Sequence, residues 1–514
     1  MTIPSFTSYQ QPGVYVQDVS TPIVVTPLVP SQTLTLVGLA LGFRTAVQSL
    51  LLYYATATPL TYMGVFTTEQ NGPPVIAAPV VTTLSGTVLT AGIDYTLSTV
   101  ADPSGNPGLA VTSINRVNTS VNVFDGQQVS VTFNYADAGY YLPQTFTDSQ
   151  SVINAYGQPF LATAPASPTA TQIANPLSAG AQVAFSNGAT TLVCLALNPA
   201  DGSIAEQLNA AYAKIATNPA CTIVVPVLTD TLTPGSGTAA AFAQDLAEGL
   251  STAMWAAYND GFPRVGFFGL PTNYSESDLP VPTLAASIAS RRLVLAYPEI
   301  ALLYNSAANQ TFQTSGTYLA VALGARLSSL PVDTGLTTQV LGGFAGLPQA
   351  ERAAMTNAFM NTLATAGVSI CYINYQGALV CRQGLTTDMS ALNYEEISVV
   401  RQSDSLLTAM SQGFQASGLI GSPITANTIS AVQEVAIGIL EAAVSADIIV
   451  SYTNLTVVQQ SYPGGSPTVI AITYSYLPAL PLNFITVQQS VDLSNGLVAS
   501  TTSTQNASST GTTS

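Results

Sequence analysis

Alternating apolar and polar positions open the chain. In Pro12-Gly13-Val14-Tyr15-Val16-Gln17-Asp18-Val19, Val14 and Val16 alternate with Tyr15 and Gln17 behind a Pro-Gly breaker, a period of two that predicts an extended strand. Pro22, Pro27 and Pro30 then interrupt any helix and cut strands short, so the opening segment makes no compact unit of its own. This strand is expected to find its β-partners on another copy of the protein.

The run Leu34-Thr35-Leu36-Val37-Gly38-Leu39-Ala40 is apolar and ends in small residues, the pattern of a buried strand in an α/β sheet. From 73 to 138 helical periodicity disappears. Thr, Val and Gly dominate there, turn signals recur at Gly92-Ile93-Asp94, Asp102-Pro103-Ser104-Gly105 and Asp125-Gly126, and Val129 to Tyr135 is apolar at every second position. An all-β module inserted into an α/β framework is expected. Beyond it, 148–157 reads as a short capped helix. Strands at 191–197, 222–228 and 264–271 alternate with helices at 204–217 and 239–258. Further helices are expected at 349–366, in the second half of 394–412 and at 426–443, where Ile429, Val432, Ala436, Ile439, Leu440 and Ala443 share a stripe. A hairpin is expected at 368–382 and strands at 455–460 and 469–476. Leu477 to Asn483, with prolines at 478 and 481, forms an extended connector to a last strand at 484–491. After Gly496 the chain is, apart from Leu497, Val498 and Gln505, made of Ser, Thr, Ala, Asn and Gly, too poor in apolar surface to offset its ordering entropy.

Composition changes the picture in one respect. The 514 residues suffice for several domains, yet only 7% are charged against 47% hydrophobic. A near-uncharged exterior points to a surface covered by other subunits; the alternative on composition alone is a secreted, Thr/Ser-rich β protein. Net charge is −16 and Lys214 is the sole lysine, which excludes nucleic acid as a partner because phosphates require clustered cations. The doublet Arg291-Arg292 is expected at a helix or interface position. No basic segment followed by an apolar run opens the sequence, and apolar stretches are broken before about 20 residues, so neither a secretory signal nor membrane insertion is expected.

Candidate chemistry is sparse. The chain has no histidine, which removes Ser-His-Asp and Cys-His designs, and neither a phosphate-cradling GxxxxGK[ST] nor a GxGxxG is present. Glu395-Glu396 is the only adjacent acidic pair, with Arg401 as its expected partner, and Trp255 is expected in the core. Cys194, Cys221, Cys371 and Cys381 lack metal-binding spacing. Cys371 and Cys381 flank a turn and could face each other across two strands, as a disulfide or as buried thiols. No enzyme, cofactor or metal site is expected.

Taken in order, several segments resemble contractile-tail sheath proteins of bacteriophages and related injection devices. They are Pro12 to Val16, Tyr141-Leu142-Pro143 through Tyr156-Gly157-Gln158-Pro159-Phe160, Ser290-Arg291-Arg292 with Tyr297-Pro298, and Tyr318-Leu319-Ala320 with Arg326. Next come Ala366-Gly367-Val368, Arg382-Gln383-Gly384-Leu385-Thr386, Tyr394 with Arg401, and Tyr476 through Pro481-Leu482-Asn483-Phe484-Ile485. The resemblance implies a multi-domain α+β and α/β fold: a conserved inner α/β domain, extended N- and C-terminal β-arms, and protruding domains that include the inserted all-β module. Mapped onto this chain, it implies an N-terminal arm at 1–25, a middle α/β domain at 26–72 and 139–348, and the protruding module at 73–138. A C-terminal sheath domain facing the tube follows at 349–482, then a C-terminal arm at 483–493 and a disordered tail at 494–514. It implies that Val14, Tyr15, Val16, Phe484, Ile485, Val487 and Val491 link subunits by completing neighbours' sheets. The partners implied are other copies in a helical stack of rings, a tail tube protein, and baseplate and tail terminator proteins. The expected setting is a virion tail assembled in the host bacterial cytoplasm. The rival expectations are the sheath of a bacteriocin-like or secretion device and, from a different class, a non-contractile surface array or adhesin.

Overall fold

The structure is a computed structural model that describes residues 32–41, 44–60, 79–101, 110–135, 139–162, 172–305, 309–461 and 467–483. Strand β1, Thr33–Gly38, is buried throughout. The chain then makes a strand-rich excursion through β2 Arg44–Leu52, β3 Thr58–Pro59, β4 Val80–Thr83, β5 Tyr95–Ala101, β6 Ala110–Arg116 and β7 Gln127–Tyr135. It returns by β8, Gln144–Phe146, and helix α1, Ser149–Tyr156, and passes through β9 Phe160–Ala162 and β10 Gln172–Ala174. Asp148 starts α1 by accepting from the Ser151 amide, and Gly157 ends it with a φ of 87°, as its flanking residues predict.

Strict alternation follows: α2 Pro176–Ser186, β11 Leu192–Ala196, α3 Ile204–Ile215, β12 Cys221–Val227, α4 Ala239–Asn259, β13 Val265–Gly269, α5 Val281–Ile288 and β14 Leu293–Tyr297. Then come β15 Ile300–Asn305, β16 Gln310–Ser315, α6 Thr317–Ser329, β17 Phe344–Gly346, α7 Gln349–Ala354, α8 Asn357–Thr365, β18 Val368–Ile373 and β19 Leu379–Cys381. The described chain closes with α9 Leu392–Glu395, α10 Ile397–Ala416, α11 Ala426–Ser445, β20 Ile449–Gln460 and β21 Val469–Pro478.

Eight strands build the central sheet in the order β19-β18-β14-β13-β12-β1-β11-β8. Its interior pairs are parallel and both edges are three-residue antiparallel strands. Successive side chains point to opposite faces, so Leu34, Leu36, Ile223 and Val225 enter one core with α2 and α6, while Val37, Val193, Leu195 and Val224 enter the other with α3, α4 and α5. Covered on both faces, these strands read as continuous apolar runs. Where β13 ends against the start of α6, Gly269 and Gly316 touch backbone to backbone, and a Cβ at Gly269 would overlap the Gly316 carbonyl.

The excursion folds as two three-stranded antiparallel sheets, β2-β7-β4 and β3-β6-β5, around its own core of Leu50, Leu52, Val81, Tyr95, Ile114, Val129, Val131 and Phe133. Its first strand corrects the expected start at 73: β2 pairs residue for residue with β7, from Arg44 against Tyr135 to Leu52 against Gln127. Pairing with a strand some eighty positions downstream leaves no mark in local periodicity. The boundary expected at 349 likewise falls inside a shared sheet, because β18 pairs with β14. The helix expected at 349–366 is two helices. The Thr356 hydroxyl accepts from the Phe359 amide and begins α8 afresh after the break at Met355.

Candidate functional site

Among the described residues no group of three His, Cys, Asp or Glu side chains is placed to hold a metal. The features that offer binding capacity lie at the C-terminal end. Helix α11 begins at Thr425, whose hydroxyl accepts from the Thr428 amide, and turns Val432, Ala436, Leu440 and Ala443 inward. These pack with Leu406, Met410 and Phe414 of α10 in a core separate from those of the central sheet. Ile429 and Ile439, expected on the same stripe, are only half-buried. By length and composition α11 is apolar enough to cross a membrane, with 22% of that stretch buried, but its exposed positions include Asn427, Ser430, Gln433, Glu434 and Glu441 and its large apolar side chains are buried or half-buried.

Strands β20 and β21 lie against this core through one face, with Leu455, Val457, Ile470, Ile472, Tyr474 and Tyr476 half-buried on it. They are twelve and ten residues long, reach beyond the spans expected at 455–460 and 469–476, and form a sheet by themselves. The register runs from Ile449 opposite Pro478 to Gln460 opposite Val469, with irregularities near Ser451 and between Thr453 and Thr456, where Asn454 takes a positive φ of 56°. Among the described residues no further strand pairs with either outer edge. Long two-stranded sheets are suited to strand addition.

Helix α10 ties this unit to the central sheet. Its first turns place Ile397 and Val400 in the α2 and α6 core and its later turns enter the α11 core. Midway, Asp404 accepts from both terminal nitrogens of Arg292, at 2.5 and 2.7 Å. The Arg292 guanidinium lies 3.9 Å from the Tyr258 ring centroid, while that of Arg291 lies 4.7 Å from Tyr394 and 5.1 Å from Trp255. Trp255 is therefore half-buried in a cation–π cluster, and its indole donates to Ser290 Oγ at 3.0 Å. The arginine doublet is buried inside the subunit.

Arg401 does not meet Glu395 or Glu396. It donates to the carbonyls of Leu330 and Pro331, at 3.0 and 3.3 Å, just past the C-terminus of α6. Burial lowers its pKa to about 9, opposed by Asp333. One residue on, Gln402 donates to the Ala479 carbonyl at 2.8 Å and so holds the connector that leaves β21. On the far side of the sheet, burial and the neighbouring charges of Glu299 and Glu276 push the Glu351 carboxyl up to about 7. All four cysteines are buried free thiols, and Cys371 lies opposite Cys381 as the flanking turn suggested.

The residues expected to link subunits, Val14, Tyr15, Val16, Phe484, Ile485, Val487 and Val491, lie outside the described residues. Asp404 and Gln402 escaped sequence reasoning. Both lie in the polar run Arg401-Gln402-Ser403-Asp404-Ser405 on a helix, and only the fold reveals what they face.

No family model matches the chain. The tail sheath protein of Mycobacterium phage Bxz1 is 27% identical over 426 residues, covering 81% of this chain and 68% of that one. Among solved structures, the helical sheath of the anti-feeding prophage in its contracted state superposes with a TM-score of 0.52 at 12% identity, over 94% of this chain and 100% of that one. The sheath complex of an extracellular contractile injection system, also contracted, gives 0.48 at 10% identity, over 95% and 99%. In sequence along most of its length, and in its mixed α/β fold, the chain is similar to contractile sheath proteins.

Proposed function

We propose that the protein is a structural, non-enzymatic subunit of a contractile tail sheath that polymerises helically around a tail tube and shortens to drive the tube through a bacterial envelope. The observation that carries this reading is the β20-β21 sheet, two strands of twelve and ten residues that, among the described strands, pair with each other alone. Strand addition would place an N-terminal arm containing Val14, Tyr15 and Val16 from one neighbour, and a C-terminal arm containing Phe484, Ile485, Val487 and Val491 from another, beside these two strands. Main-chain hydrogen bonds would then link subunits head to tail, a heterologous contact that generates rings and helices.

On this reading the central sheet and the C-terminal unit form the inner wall against the tube, and the 44–135 module projects outward. Baseplate and terminator proteins meet the ends of the stack, and the assembled sheath belongs to a virion built in the host cytoplasm. Shortening needs no nucleotide: rigid bodies tilt between two packed arrangements while the arms keep the lattice joined. Electron microscopy of the purified full chain and of a variant lacking residues 1–19 tests the proposal. The full chain is expected to form tubes and the truncated chain folded monomers; tubes of unchanged length from the truncated chain overturn the arm assignment, and persistent monomers of the full chain under all conditions overturn the sheath reading.

A further inference from the structure

Two buried thiols stand opposite each other at one edge of the central sheet. The register pairs Cys371 of β18 with Cys381 of β19. The Arg382 amide donates to the Ile370 carbonyl at 2.8 Å and the Asn374 amide to the Ala378 carbonyl at 2.9 Å. Hydrogen-bonded and non-hydrogen-bonded pairs alternate along an antiparallel ladder, so Cys371 and Cys381 occupy a non-hydrogen-bonded pair, where the Cα atoms approach to about 4.5 Å. That separation lies within the range of roughly 4.4 to 6.8 Å spanned by disulfides. Both side chains enter the same core.

We propose that Cys371 and Cys381 form a latent cross-strand disulfide site, reduced in the folded protein and closed by exchange with a low-molecular-weight disulfide when the sheet edge opens. The edge has the means to open. Strand β19 is three residues long and is held on its outer side by residues 338–341, through Thr338 N–H to the Cys381 carbonyl at 2.8 Å, Cys381 N–H to the Gln339 carbonyl at 3.0 Å and Leu341 N–H to the Leu379 carbonyl at 2.9 Å. Thr338 sits in the left-handed region at a φ of 61°, a strained conformation for a β-branched residue and the point at which the strap would give.

The chemistry is two successive thiolate displacements. With the strap lifted, the Cys381 thiolate attacks one sulfur of the small disulfide, forming a mixed disulfide and expelling one small thiolate. The Cys371 thiolate then attacks the Cys381 sulfur, forming the protein disulfide and expelling the second. The two protons lost by the cysteines end on the two released small thiols, and the protein is oxidised by two electrons while the small disulfide is reduced. Burial raises both thiol pKa values; Cys381 adds to the rise at Cys371 and the Glu396 charge adds to it at Cys381, which keeps the closed edge unreactive.

Cys194 and Cys221 supply an internal control. They are as deeply buried, but sit on strands β11 and β12 that flank β1 on either side, in cores on opposite faces of the sheet. The full chain, purified in reductant, is exchanged into oxidised glutathione under native conditions and followed by intact mass and peptide mapping, in the wild type, in C371S and in C194S. The expected result is a slow loss of two hydrogens mapped to a Cys371–Cys381 linkage, with Cys194 and Cys221 still alkylatable after denaturation. The linkage is expected to persist in C194S and to be replaced by a stable glutathione adduct on Cys381 in C371S. Wild-type protein that stays unlinked after prolonged exposure, that keeps glutathione on Cys381, or that links any other pair overturns the proposal.

Discussion

Arginine acts in this protein as an internal strut. Arg264 closes the C-terminus of α3 by donating to the carbonyls of Ile215, Ala216 and Asn218, and Arg401 does the same beyond α6. Arg116 holds a loop of the β-module through Val123 and Ser120. Arg292 is the strut whose removal is most costly, since its side chain is almost wholly buried and paired with Asp404. Asp404→Ala should destabilise the protein by about 3–5 kcal/mol, because it leaves an uncompensated buried charge. Urea unfolding measures this, and adding Arg292→Met should recover most of the loss. At Glu351 the folded state holds its proton up to about 7, above the ordinary value of 4.5. The folded protein therefore binds more protons than the unfolded chain between these values, and stability should fall as pH rises through that window. Thermal melts from pH 5 to 8 should show the decline, and Glu351→Gln should flatten it. None of these roles was legible in the sequence. A lone arginine looks the same whether it meets a carboxylate six residues away, as expected for Arg401, or a carbonyl seventy positions upstream.

Elements were legible where their pattern is local. The alternation from β11 to β13, the caps of α1 and the apolar stripe of α11 could all be read from composition and spacing, whereas α2, α5 and β14 were not. Periodicity erred where a side chain overrode it, as at Thr356, and where pairing is distant, as for β2 with β7. The C-terminal unit is the element most open to test, because its core is small and separate. Leu440→Ala should remove about 2–5 kcal/mol from that core. Amide exchange should then show lost protection across Ile449–Gln460 and Val469–Pro478, with Leu192–Ala196 of the central sheet still protected. Protection lost equally in both would mean that the two cores unfold as one.

The whole molecule carries a net charge of −16 with ten basic residues, and most of the described ones are turned to internal tasks. Few cations remain to bridge subunits, so contacts between copies must work against mutual repulsion. Self-association should therefore strengthen with salt as the screening length shortens from about 30 Å at 0.01 M to about 8 Å at 0.15 M. Sedimentation velocity across that range should show larger species as salt increases; dissociation would point to ionic interfaces.

The antiparallel pairing of Arg44 with Tyr135 has one further consequence. The points at which the chain enters and leaves the β-module are next-door neighbours, so the central sheet sees the whole excursion as if it were a single short loop. Such a layout makes the module a cassette. Replacing residues 44–135 by a brief Gly/Ser bridge should leave an expressed, cooperatively melting core, and a foreign domain with adjacent termini should be accepted in its place. What a population of related chains could vary, at little cost to the scaffold, is whatever it chooses to carry between Gly38 and Gln144.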